Sequence, residues 1–266
     1  MTSIDPPGRA RLIALRAIAA VFALLILVVV NGQLLLPFLS WLPDSTLTGL
    51  GYPPGDLGWL VQGTGITFGH ITLLVCVALQ IFRPVRNVAP LWLVAFLMGV
   101  QMIYDATQGT VGDPLWWVVY AMTVAIIALH PRRLAPLPPW NWPALAFAVI
   151  GAGPLLAYAW SEFRQQSPAN GDNFHFGMAL ITTLAVFAAV IGSSSVPGRR
   201  VAACLGGLCI ALIGIASIAK PTLASAFPVG WAWAALAWGV VFIAIAVRPV
   251  AINRRPASTL APTQVS

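Results

Sequence analysis

The chain has 266 residues, 59% of them hydrophobic and 8% charged, against roughly a quarter charged in an ordinary soluble domain. Its formal charge of +7 would suggest an acidic partner in a soluble protein, but here the bases stand in short groups between apolar runs. The composition excludes a soluble enzyme and a nucleic-acid binder, and makes the lipid bilayer the first partner.

Crossing ~30 Å of hydrocarbon takes about 20 apolar residues at 1.5 Å each. Runs of that kind are predicted at about 12–31, 62–82, 88–107, 115–130, 142–161, 174–193, 201–219 and 228–247, separated by Pro/Gly-rich or charged turns. The first follows Arg9 and Arg11 as a signal-peptide core would. It is long for that role and no A-x-A-like site closes it, so it reads as a retained span.

Eight spans predict an all-α integral membrane protein with both termini on one side. Twelve arginines then share that side, and only Arg164 and Lys220 face the other, a bias that places both termini in the cytoplasm. The acids sort oppositely: Asp44, Asp56, Asp105, Asp113, Glu162 and Asp172 fall outside and only Asp5 inside. The Ala-rich, Arg-over-Lys usage is that of high-GC bacteria, so the expected location is a bacterial cytoplasmic (inner) membrane, with the chain crossing it many times.

A shift of 116 residues lays Gly55-Asp56 on Gly171-Asp172, Arg83 on Arg199 and Arg132 on Arg248. This predicts two parallel-oriented four-helix repeats, at 1–131 and 132–250, with a disordered cytoplasmic tail at 251–266. The first repeat carries a longer outer loop, 32–61, whose "LLLPFLSWLP" is apolar enough to lie on the outer interface or re-enter it.

Candidate chemistry is sparse, and in chain order it begins with His70. This residue lies 13 positions before Arg83, roughly 20 Å up the helix, where an ionisable group is a proton-relay or ligand candidate unless a facing helix satisfies it. On the same span Gly65 and Gly69 form G-x-x-x-G, which favours close helix packing. Gln101, Tyr104, Asp105 and Gln108 share one helix face, a polar stripe that should turn away from lipid. Asp172 and His175 form D-x-x-H at the start of the sixth span, after a short loop holding Glu162 and Arg164. Such a pair can ligate a divalent cation, but Asp at a helix start is more simply an N-cap. Lys220, the one lysine, ends the seventh span and is placed by the repeat to latch onto Asp105. Pro154 stands in the middle of the fifth. Cys76, Cys204 and Cys209 all lie in apolar segments and form no redox motif.

These residues predict a small-solute or proton-linked transporter or transport accessory, with an outward-facing path formed by His70, Gln101, Tyr104, Asp105, Asp172, His175 and Lys220. Two other classes stay open. One is a non-catalytic scaffold for a membrane-protein partner, in which the same residues cap and latch helices. The other is a membrane-embedded enzyme at the outer face, which needs Asp105, Glu162, Asp172 and His175 to converge. No nucleotide-binding, H-E-x-x-H, G-x-S-x-G or C-x-x-C pattern is present, and no catalytic residue, metal or cofactor is assigned.

Overall fold

The structure, a computed structural model, describes residues 8–30, 42–49, 60–108, 114–131, 140–165 and 174–248. Within them the chain is all-helical: α1 Arg9–Val30, α2 Asp44–Gly49, α3 Leu60–Phe82, α4 Val88–Gln108, α5 Pro114–Leu129, α6 Trp142–Gln165, α7 Phe174–Gly192, α8 Arg199–Ala219 and α9 Val229–Ala246. Seven of these are long and apolar enough to cross a membrane, the architecture of a polytopic membrane protein. The run expected at 115–130 forms α5, which at 16 residues is about 24 Å long and falls short of the others. Pro114 starts it and Pro131 follows its end, which confines it between two residues that cannot extend a helix upstream. The expected loop at 32–61 lies mostly outside the described residues, as do Asp172 and the tail at 251–266.

One boundary is corrected. The fifth span was expected to stop at 161, leaving Glu162 and Arg164 in a loop, whereas α6 continues to Gln165 and carries Glu162 inside its last turn. The helix runs on because that carboxylate is buried and bonded to its neighbours, so nothing obliges the chain to leave the helix there.

Helix pairing follows chain order in two rings. α1 packs on α3, α3 on α4, α4 on α5, and α5 returns to α1; α6 packs on α7, α7 on α8, α8 on α9, and α9 returns to α6. The rings meet where α3 and α4 lie against α7 and α8. Lipid tails are as apolar as leucine, so small residues that allow close backbone approach hold such contacts. Gly65 and Gly69 serve α3 in this way, since the side chains of Met178 and Ile181 occupy the space their Cβ atoms would need. Between α8 and α9 a Cβ on Gly214 would lie 2.7 Å from the carbonyl of Ala232.

The two ends of the bundle are built differently. At the end bearing Arg83, Arg86 and Arg199, backbone meets backbone. The Ala89 N–H donates to Pro197 O at 2.9 Å, and the Asn141 N–H to Ser193 O at 2.7 Å. Gly198, at φ +85°, sits so close to Asn87 and Pro90 that a side chain would strike both. Arginines close the helix C-termini there. Arg11 donates to the carbonyls of Leu129 at 2.9 Å and Ala128 at 2.8 Å, and Arg199 to those of Ala246 at 2.8 Å and Arg248 at 3.2 Å, each a cation on the negative end of a helix dipole. His130, fully buried, bonds through Nε2 to Pro84 O at 2.9 Å. At the opposite end, with Asp105 and Glu162, the contacts between helices that the described residues show are made by side chains.

Because the α8–α9 contact has no room for a Cβ, Gly214→Val should lower stability by roughly 1–3 kcal/mol through overpacking. Gly153→Val, where a new Cβ meets nothing, should not; thermal unfolding of both variants in detergent checks this.

Candidate functional site

At the acidic end four side chains from four segments gather around one carboxylate. Tyr158 and Glu162 lie one turn apart on α6, His175 is the second residue of α7, Gln62 stands in the first turn of α3, and Ser225 is in the α8–α9 loop. Glu162 is only 3% exposed. Its Oε2 accepts from the Ser225 hydroxyl at 2.5 Å and lies 2.8 Å from His175 Nδ1. The Gln62 amide donates to Ser225 Oγ at 2.9 Å, and the Tyr158 hydroxyl to the Ser225 carbonyl at 2.7 Å. With Gln62 donating and Ser225 passing its own proton on, the carboxylate is the sink of the chain, and His175 must carry hydrogen on Nδ1 to join it. Ser225 takes this place in a left-handed backbone conformation, φ 62°, the one non-glycine residue with positive φ among the described residues. That strain is held by bonds to both its side chain and its carbonyl.

A second carboxylate lies nearby. Asp105, on the last turns of α4 and 6% exposed, accepts from the Tyr120 hydroxyl on α5 at 2.5 Å and from the Gln101 amide, one turn back, at 3.0 Å. Its neighbour Tyr104 stacks on Phe176 of α7, ring centroids 3.4 Å apart and planes 9° from parallel. Phe176 adjoins His175 in the sequence, so the stack joins one acidic cluster to the other.

Below this end, between α1, α3, α4, α5 and α7, is a half-open cavity of about 380 Å³, inside the range of small-molecule sites. Its walls are apolar except where His70, Gln101 and Tyr104 reach them. His70 is set 10 residues into α3, near mid-membrane, and its Nδ1 is buried with no hydrogen-bond partner among the described residues. A buried imidazole nitrogen facing nothing polar costs free energy unless something else meets it.

Of the residues singled out in the sequence, His70, Gln101 and Tyr104 thus line one cavity, Asp105 stands beside it and His175 belongs to the Glu162 cluster. Lys220 caps α8, its backbone N–H bonded to Ala216 O at 2.9 Å. Asp105 bonds to Tyr120 and Gln101, Glu162 to His175 and Ser225, and Asp172 lies outside the described residues. Among the described residues no three His, Cys, Asp or Glu side chains gather as a metal site requires. Tyr120, Tyr158 and Ser225 were not singled out in the sequence, where neutral hydroxyls beside apolar runs carry no pattern of their own. Only the acid four positions from Tyr158 could have pointed to that tyrosine.

No protein-family model matches the chain, and neither a curated protein nor a solved structure matches it.

Truncating the carboxylate, Glu162→Ala, strands the donors of His175 and Ser225 and should lower stability by about 1–3 kcal/mol. Glu162→Gln keeps one acceptor oxygen and should cost less, an order that thermal unfolding of the two variants in the same detergent would show.

Proposed function

We propose that the protein is a small-solute or proton-linked transporter or transport accessory, whose site is the cavity at His70. The observation that carries this reading is the cavity itself: a half-open, largely apolar space near mid-membrane lined by an imidazole, an amide and a phenol. An intramembrane ionisable group in such a place is a natural seat for a proton or a hydrogen-bonding solute. Above it the Glu162–His175 pair offers a second group able to take up or release a proton on the way.

Several features support the wider arrangement. The two rings of helices, with α3 and α4 of one against α7 and α8 of the other, favour two parallel four-helix repeats. Counting α5 as a short eighth span puts both termini on the arginine-rich side, in the cytoplasm of a bacterial inner membrane by the positive-inside rule. The Asp105 and Glu162 clusters then face outward, and the backbone-sealed end faces the cytoplasm. The reading is therefore of a site reached from outside.

A scaffold role is the second reading, favoured by one observation. α1, α6 and α9 have fewer than a third of their spanning residues buried, and they carry exposed Val28, Ile150, Trp160 and Trp231, a broad apolar surface able to meet a membrane-protein partner.

Pyranine-filled proteoliposomes separate the two. With an acid step outside, the wild-type protein should acidify the lumen faster than protein-free vesicles, and His70→Asn should remove most of the excess. A wild type no faster than empty vesicles would overturn the proton-linked reading and leave the scaffold.

A further inference from the structure

The rings of Tyr104 and Phe176 separate two spaces. On one side is the His70 cavity. On the other is a cleft of about 360 Å³ between α4 and α6, floored by α7 and lined by residues that include Ile103, Ala159, Trp160, Phe163 and Thr183. Tyr104, Phe176 and Leu180 line both spaces, so the wall between them is one side chain thick where the rings stack. The cleft opens to the flank of the bundle, since Ile103 is 63% and Trp160 62% exposed on helices that lie in hydrocarbon. Trp160 and Phe163 belong to the last turns of α6, at the level of the Glu162 cluster, which sets the mouth of the cleft in the half of the bilayer nearer the acidic end.

The wall is a pair of stacked rings. Its two rings come from different helices, and each is placed by its sequence neighbour: Tyr104 by Asp105, bonded to Tyr120, and Phe176 by His175, bonded to Glu162. A stack of this kind opens by rotation of one ring, while each carboxylate keeps its bonds.

The geometry points to lateral entry. The cavity takes a lipid-soluble small molecule bearing a hydrogen-bonding group, which leaves the outer half of the bilayer between α4 and α6, passes the parted rings of Tyr104 and Phe176, and sets its polar group against His70. The lining fits that chemistry, because an ion or a sugar would find too few partners in a cavity whose polar groups are three side chains. This inference rests on the cavity being the solute site and adds to it the class of solute and the route.

Photolabelling of the full chain in nanodiscs tests it, with a small iodophenyl diazirine dissolved in the bilayer and a sulfonated, water-soluble counterpart, the labelled residues being mapped by mass spectrometry. The bilayer probe should label Leu73, Leu97 and Met98, which line the cavity. Ala159→Trp, filling the cleft, should cut that labelling roughly tenfold, a loss equivalent to about 1.4 kcal/mol, and Phe176→Ala should raise it. Val240, exposed on α9, should label equally in every variant. Thr183→Trp fills the cleft from the opposite wall and replaces Ala159→Trp if that variant elutes as aggregate. Cavity labelling that survives both cleft-filling variants would overturn the route. Labelling by the sulfonated probe alone would overturn it too, while leaving the cavity as a solute site reached from water. If neither probe reaches the cavity while Val240 is labelled, the route and the solute site both fall.

Discussion

Inside a bilayer a polar group has no water to turn to, and whatever donor or acceptor it presents must be met by the protein. That constraint places nearly every polar side chain described here. Glu162 and Asp105 sit in the closing turns of their helices, and each accepts two hydrogen bonds from other side chains, at least one from another helix. Arg11 and Arg199 spend their guanidinium donors on helix-end carbonyls that would otherwise face hydrocarbon. Among the described residues four buried atoms lack such a partner: His70 Nδ1, Gln80 Oε1, Trp92 Nε1 and Thr182 Oγ1.

The same constraint makes the two ends unequal in what they can do. At the arginine-rich end the closure is backbone to backbone, between the α3–α4 and α7–α8 turns, with Gly198 pressed against Asn87 and Pro90. Parting that contact would strand peptide groups at once. At the acidic end the contacts among the described residues are made by side chains from separate helices, and side chains can rotate or trade one partner for another without loss of backbone bonding. Bonds to a charged carboxylate are each worth about 1.5–3 kcal/mol, enough to hold the end shut and small enough for a solute or a proton to compete with them.

The sequence made the spans, their order and the uneven distribution of charge legible, because these depend on apolar length and on charge alone. His70, Gln101 and Tyr104 were legible as well, since a polar residue within an apolar run stands out, and the structure sets all three on one cavity. Glu162 was read but misplaced. Hydropathy ends a span at the first charge, and only the partners Ser225 and His175 explain why α6 continues beneath it. Ser225, Tyr158 and Tyr120 were not legible at all. Each is a neutral hydroxyl that acquires a role only when a carboxylate from a distant part of the chain arrives beside it, and 63 positions separate Ser225 from Glu162.

Between the two carboxylate clusters the only direct tie described above is the Tyr104–Phe176 stack, and an aromatic pair adds about 0.5–1.5 kcal/mol beyond the area it buries. Each flanking cluster holds its aromatic through charge-assisted bonds that are stronger than the stack itself. When a structure with strong anchors and a weak junction is strained, the junction yields and the anchors stay. Movement of α4 relative to α7 at this end would therefore part the rings first, and the rings are the wall between the cavity and the lipid-facing cleft. Protonation of either carboxylate would act on the same wall, because a protonated acid donates where it formerly accepted, and the tyrosine or serine that fed it must turn elsewhere.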